Sequence, residues 1–451
     1  MTEVSPVRTH ATQIPETDLL HKLWINRLLP MLTRRIGGPM GQHKRGWSPA
    51  WAYLLATLSW AICMLRQIPC HETLSGQGPD RFKWMCYTDI TALYFSRGQA
   101  TGGLPYIDVA WEYPVLTGYL ATISQWISSL SGASFAEDIN SQQQVLNADI
   151  YFSVTSVLLF ICLLWLVSST LLIAPKQPGI AMLMAISPAL MTTGLINWDL
   201  LVISLTAAGL ASWLDKKPIW AGFWWGLAVA AKLYPIVIIG ALFVLCLRKG
   251  AVKTPVVHAW LLMACSSVAT WLIVNLPLMT THPGGWSYFY TFNYQDRGAD
   301  LGSLWFALDL AGLGVDNPAL WSRLIMILGY LGLAALIFFA RKAPSAQQIA
   351  YLAVAIFVLG NLVYSPQYVL WVLPLIVLVR PHWRDLWVFT VSELFYFCFI
   401  WLYLRRNDLT LGISDVPWVY IFSILLRITA TIWVMNHVVR DVLTAKEELT
   451  S

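Results

Sequence analysis

The feature that most constrains this chain is a recurrence. Apolar stretches close to or beyond the roughly 20 residues that a transmembrane helix needs follow one another from Trp47 to His437. Backbone that faces lipid must satisfy its own hydrogen bonds, so such a chain folds as helices that cross the bilayer repeatedly. Composition agrees: 57% of the 451 residues are hydrophobic and 12% are charged. Soluble domains carry about 25% charged residues, so a soluble multidomain enzyme is excluded. The 24 Trp and 18 Tyr suit the aromatic belts of a polytopic protein. The expected architecture is an all-α polytopic integral membrane protein of about a dozen spans. One membrane domain covers residues 47–437, between a basic N-terminal segment (1–46) and a short tail (438–451).

The net charge of +5 is small, and where the bases lie matters more than how many there are. Lys and Arg in short connectors mark the cytoplasmic side, which puts 215–218, 248–253, 340–342, 380–384 and the tail inside. The connectors 196–199, 232–235, 280–303, 364–368 and 405–415 then lie outside, together with a long first outer loop at 66–112. Both termini are expected in the cytoplasm of a multi-pass plasma-membrane protein. Residues 22–36 read either as a basic amphipathic helix on the inner leaflet or as a solvated tail. No signal peptide precedes the first span (residues 47–65), which serves as the insertion signal. Parity is awkward around 179–195: either this run, interrupted by Pro188, is a broken or re-entrant helix, or it spans fully and holds 132–149 outside. No basic cluster interleaved with aromatics points to nucleic acid, and no internal repeat points to a transporter.

Several outer residues can carry chemistry. Cys70 and Cys86 are the cysteines of the first outer loop, in an oxidising compartment. A disulfide there would contribute about 3 kcal/mol by loop closure, although two free thiols fit the spacing too. Asp89 opens a short helical run stopped by Gly98, with Asp108 and Glu112 further along the same segment. Such a carboxylate either caps its helix or, within reach of a sugar hydroxyl, removes its proton. The spacing of these acids matches no recognised metal site. Lys232 interrupts two apolar runs; it either snorkels to the interface or meets a lipid phosphate as a point charge. His282, Asp296, Arg297 and Asp300 stand among aromatics in the outer loop, a composition suited to holding a sugar while a base pairs with phosphate. Tyr113, Asn197, Asp199, Tyr234, Tyr364 and Gln367 belong to neighbouring outer motifs and complete the expected substrate-binding set.

The motifs CYTDI, GGLPYIDVAWEYPVLTGY, INWDLL, AGFWWGLAVAAKLYP, DRGADLGSLW and NLVYSPQYVLWVLPL occur in that order. In this the chain resembles glycosyltransferase family 87, integral-membrane enzymes of the GT-C superfamily, over about residues 47–435. The resemblance implies a GT-C-type bundle whose first extracytoplasmic loop carries interfacial helices. It also implies a polyprenyl-phosphate-linked sugar, mannose first and arabinofuranose next, used to extend an envelope glycan or glycolipid at the outer face with inversion. The family's aspartate after the first span corresponds to Asp89 and the base of its AKLYP motif to Lys232. Related enzymes often add a C-terminal carbohydrate-binding domain, which this chain, ending at Ser451, is expected to lack.

The expected reaction has Asp89 as general base and Lys232 or Arg297 holding the departing phosphate. The phosphodiester supplies the driving energy, and no glycine-rich nucleotide signature is present, so no cofactor and no metal are expected. The alternative is a carrier that flips a lipid-linked envelope precursor without chemistry. It would call for ionisable residues at mid-membrane and two alternating halves.

Overall fold

The structure is a computed structural model and describes residues 47–71, 80–135, 140–249, 255–293, 298–406, 409–412 and 415–445. Within those residues every regular element is helical, apart from an isolated bridge between Pro105 and Val109. Helix α1 (Ala50–Gln67) forms where the first span was expected. Just beyond it a disulfide joins Cys70 to Cys86, and the short helix α2 (Asp89–Ser96) follows. Next come α3 (Val115–Leu130) and α4 (Ser141–Ile173). The latter starts inside the stretch 132–149 that the sequence alone reads as a connector. Asn140 caps it by accepting the Gln143 N–H at 2.8 Å, which lets the polar first turns join the helix.

The run at 179–195 is a broken helix, α5 (Pro178–Ala185) and α6 (Pro188–Thr193). Pro188 cannot continue a helix, because it lacks an N–H and its ring clashes with the preceding turn. Every residue of α5 is buried, whereas Ile186 and Pro188 at the break are exposed on the bundle. Then follow α7 (Asp199–Leu214), α8 (Pro218–Ala231), α9 (Pro235–Lys249), α10 (Pro255–Thr281), α11 (Pro283–Thr291) and α12 (Leu304–Leu310). The chain closes with α13 (Pro318–Phe339), α14 (Ala346–Gly360), α15 (Val369–Val379), α16 (Trp383–Leu404) and α17 (Trp418–Thr444). Helix α17 runs past the expected end at 437, and its last turns are tied by Asp441, which accepts from Arg380.

Among the described residues, five helices (in α4, α10, α13, α16 and α17) are long and apolar enough to cross a membrane. Of the others, α7, α8, α9, α14 and the run Pro366–Val379 are apolar but only 10–17 residues long. A 14-residue helix such as α8 rises roughly 21 Å, short of a hydrocarbon core about 30 Å thick. The shortening has a cause. α8, α9 and the run from Pro366 start at prolines, α7 starts in the INWD motif and α14 starts at its Ser345 cap; the motifs INWD, KLYP and YSPQY end the apolar runs early and lie recessed inside the protein. Asn197 and Asp199 are accordingly buried.

Polar contacts sort the connectors by end. At one end Arg405 meets Asp80 at 2.7 Å, His71 meets Asp149 at 3.1 Å, and the Asp89 N–H donates to Ile196 O at 2.7 Å. Elsewhere, one basic connector bonds with another, Arg248 donating to Ala340 O at 2.6 Å, and Arg380 donates to Asp385, in the helix that follows it, at 2.6 Å.

Helices α8 and α10 approach unusually closely because Gly222 and Gly226 lie one turn apart on the contact face. A Cβ at Gly222 would stand 2.1 Å from Met263 O, and one at Gly226 would stand 2.5 Å from Ser267 O. Small residues at such spacing let helix backbones touch. The substitution Gly226→Leu is expected to lower stability by about 1–3 kcal/mol through overpacking. Gly240→Leu, where a Cβ meets nothing within 4 Å, should leave the thermal midpoint of the detergent-purified protein nearly unchanged.

Candidate active site

The first element of the site is α2. Its cap is Thr88, whose hydroxyl accepts the Ile90 N–H at 3.2 Å, so Asp89 is the first helical residue and its carboxylate is not used for capping. Tyr113 instead donates its hydroxyl to Asp89 Oδ2 at 2.8 Å. Tyr113 is held from behind by Tyr106, whose hydroxyl donates to the carbonyls of Tyr113 and Pro114, both at 2.7 Å. Tyr106 fits there because Gly118 leaves room for its ring.

From Tyr113 a line of bonds leads inward. Asn197 donates from Nδ2 to the Tyr113 hydroxyl at 3.2 Å and accepts the Asp199 N–H at 2.9 Å. The Asp199 carboxylate accepts from Lys232 Nζ at 2.6 Å and from the Trp371 indole N–H at 2.8 Å. Lys232 sits where α8 ends, in extended backbone ahead of Pro235. Its ammonium lies 5.0–5.2 Å from the ring centres of Tyr113, Tyr368 and Trp371. Trp371 is sandwiched between Tyr368 at 3.7 Å and Tyr234 at 4.6 Å. A cation gains from aromatic faces at this range, and Lys232 therefore has a counter-ion and an aromatic collar. Its side chain is 15% exposed and that of Asp199 only 3%.

These groups open on one cavity of about 560 Å³, within the usual range of ligand pockets. Asp89, Glu112, Tyr113, Lys232, Tyr234, Asp300, Gln367, Tyr368 and Trp371 line it, with Tyr87, Phe289, Asn361 and Trp401. Asp89 is half-buried. Burial pushes its carboxyl above the ordinary 3.8. Hydrogen bonds from Tyr113 and Tyr87 and the Lys232 charge oppose the shift, and Glu112 adds to it. Glu112 is paired with Arg97 at 3.3 Å.

Other expected residues lie elsewhere. Asp108 is exposed and closes its own turn by accepting the Leu104 N–H at 3.0 Å. His282 precedes α11 and bonds Thr281 at 2.9 Å, outside the cavity lining. Tyr364 is buried behind the wall, with its hydroxyl donating to Glu393 at 2.9 Å. Asp296 and Arg297 lie outside the described residues, so the second candidate for the phosphate has no position here. Asn197 and Asp199 support the cavity from beneath rather than line it. Tyr87, Asn361, Tyr368, Trp371 and Trp401 were not singled out in sequence. Tyr368 and Trp371 are three residues apart and so share a helix face, a signal that a transmembrane Trp read as belt conceals. Among the described residues no group of three or more His, Cys, Asp or Glu is placed to hold a metal.

The model of glycosyltransferase family 87 matches residues 144–366. This range holds Asn197, Asp199, Lys232, Asp300 and Tyr364, whereas Asp89, Glu112 and Tyr113 precede it. No curated protein matches the sequence. Among solved structures, the chain is similar to the crystal structure of ArnT from Cupriavidus metallidurans bound to undecaprenyl phosphate. That likeness has 12% identity and a TM-score of 0.45, over 87% of this chain and 78% of that one.

Removing one member of a buried ion pair leaves the other uncompensated, which costs about 3–5 kcal/mol. Lys232→Met should therefore unfold well before the wild type in a thermal melt. The double variant Lys232→Met/Asp199→Asn should recover most of the loss, because neither charge is then left alone.

Proposed function

We propose that this protein is a membrane glycosyltransferase. It transfers a sugar from a polyprenyl-phosphate donor to an envelope glycan or glycolipid, with inversion at the anomeric carbon. The observation that carries this reading is that one cavity presents a carboxylate of raised proton affinity, Asp89, and an ammonium, Lys232, across an aromatic surface. The match to glycosyltransferase family 87 supports the reaction class. The acceptor oxygen attacks the anomeric carbon as the carbon–oxygen bond to phosphate breaks. The bonding pair leaves with the polyprenyl phosphate, and the acceptor proton passes to Asp89. A phosphate leaves without protonation, so a single carboxylate suffices, unlike the pair that a glycoside hydrolase needs.

Lys232 meets the growing phosphate charge with the N–H bonds that Asp199 does not use. Tyr113 and Tyr87 turn the Asp89 carboxylate toward the acceptor. The stacked rings of Tyr234, Trp371 and Tyr368 give the sugar or the first isoprene units an apolar face. Mannose is the favoured sugar, and arabinofuranose the next. The cavity faces the extracytoplasmic side of the plasma membrane, with both termini in the cytoplasm. The disulfide near the cavity suits an oxidising compartment, and the basic connectors suit the opposite one.

Asp89→Asn is expected to lower kcat by roughly 10²–10⁴, the usual contribution of a positioned base, with membrane insertion unchanged. Turnover of a radiolabelled polyprenyl-phosphate sugar by purified protein measures it; near-normal turnover by the variant removes Asp89 from the role. The pH dependence has a definite sign. The base acts only when ionised, so activity falls as pH drops through its pKa, and that acid limb lies above the ordinary 3.8. Tyr113→Phe removes a bond to the ionised form and should move the limb to higher pH. Glu112→Gln removes a repelling charge and should move it to lower pH.

A further inference from the structure

Two charged residues lie deep in the last long helices and touch nothing in the cavity. Glu393 in α16 is 4% exposed and Arg427 in α17 is 1% exposed. Ionisable residues inside membrane helices are rare and mark function, yet neither enters the reaction described above. Arg427 closes on two neighbouring segments of chain, and Glu393 on one of them. The strips at 300–302 and 362–364 are laced together by Asp300 N–H to Leu362 O and Tyr364 N–H to Leu301 O, each 2.9 Å. Asp300, Leu301, Leu362 and Val363 form part of the cavity wall.

Side chains from α16 and α17 take hold of these strips from the far side. Arg427 donates from Nη2 to Gly302 O at 2.6 Å, and the Tyr420 hydroxyl accepts the Gly302 N–H at 3.1 Å. Gly302 has φ +73°, and a Cβ there would stand 2.0 Å from the Tyr396 hydroxyl, so only glycine fits the grip. The Arg427 guanidinium lies 3.4 Å from the centre of the Tyr364 ring. That ring's hydroxyl donates to Glu393 Oε2 at 2.9 Å, and Tyr364 O accepts from Tyr396 at 2.7 Å. A buried charge is a poor source of stability, since a hydrophobic group of similar size often does as well. What a planar guanidinium adds is direction, because it fixes a carbonyl and a ring at once.

We infer that Arg427 and Glu393 are positioning residues that act through Gly302 and Tyr364 to hold the 300–302 and 362–364 wall of the cavity in its substrate-binding geometry. The inference rests on the proposed transfer reaction at that cavity. It predicts that loosening the brace misplaces the wall rather than unfolding the protein. Displacement by an ångström costs on the order of a hundredfold in rate.

The test uses the full chain in lipid nanodiscs, with a polyprenyl-phosphate sugar as donor, and the variants Tyr364→Phe, Arg427→Met and Glu393→Gln/Arg427→Met. Turnover, thermal midpoint and hydrogen exchange are read on each. Tyr364→Phe keeps the ring and loses the hydroxyl's bonds to Glu393 and Arg427; it should lower kcat/KM about tenfold or more with the acid limb set by Asp89 unmoved. The double variant, free of any lone charge, should melt nearer the wild type than Arg427→Met. It should still turn over slowly, and the amides of Gly302 and Tyr364 should exchange faster. Wild-type kcat/KM in the double variant, activity loss that simply follows the melting midpoint, or unchanged amide protection each overturns the brace. A wild-type protein that transfers no sugar refutes the reaction instead, and the exchange data then decide the brace alone.

Discussion

A lysine that ends a helix inside an apolar bundle needs a counter-charge, and Lys232 finds it in Asp199 at 2.6 Å. The rest of the site is arranged around that pair. The second Asp199 oxygen is taken by Trp371, which anchors the aromatic stack. Its backbone N–H is taken by Asn197, which reaches on to Tyr113 and so to Asp89. The base and the cation of the proposed reaction are thus two ends of one hydrogen-bonded line, and a disturbance at either end is felt at the other. Low local dielectric strengthens such a line and makes any unpaired member costly.

The bundle divides its labour by helix length. Long apolar helices such as α4, α10 and α13 provide the membrane-crossing frame. The shorter α7, α8 and α15 end early, and their polar ends build the cavity inside the protein. The last two long helices do both, since α16 and α17 cross the bundle and also carry the side chains that grip the cavity wall.

Much of this was legible in the sequence, for physical reasons. Helical membrane architecture follows from hydropathy and the need to satisfy backbone groups. The interruption before Pro188 and the stop at Gly98 follow from local chemistry. Lys232 stood out because a polar residue flanked by apolar runs has few destinations, and Asp89 because it opens a short helix in the first outer loop at the place of the aspartate in the family the chain resembles. The helix ends were harder: Asn140 extends α4 and Asp441 ties α17 through contacts that hydropathy does not register. Asp108 looked like part of the acidic site, but four residues of turn geometry give it a local partner. The partner of Lys232 lies at Asp199, on the preceding helix, and no periodicity links them. Arg427 and Glu393 were hidden among long apolar runs, although a charge in that setting is itself a signal.

The account holds that donor phosphate and acceptor oxygen meet in one cavity between Lys232 and Asp89. The most direct measurement is a cryo-EM reconstruction of the Asp89→Asn variant in nanodiscs with a polyprenyl-phosphate sugar bound. The account predicts phosphate density against Lys232, with the sugar directed toward position 89 and the isoprenoid leaving the cavity along apolar wall. Lipid density at the end of the bundle that carries Arg248 and Arg341, with the cavity closed to the headgroup, would contradict it.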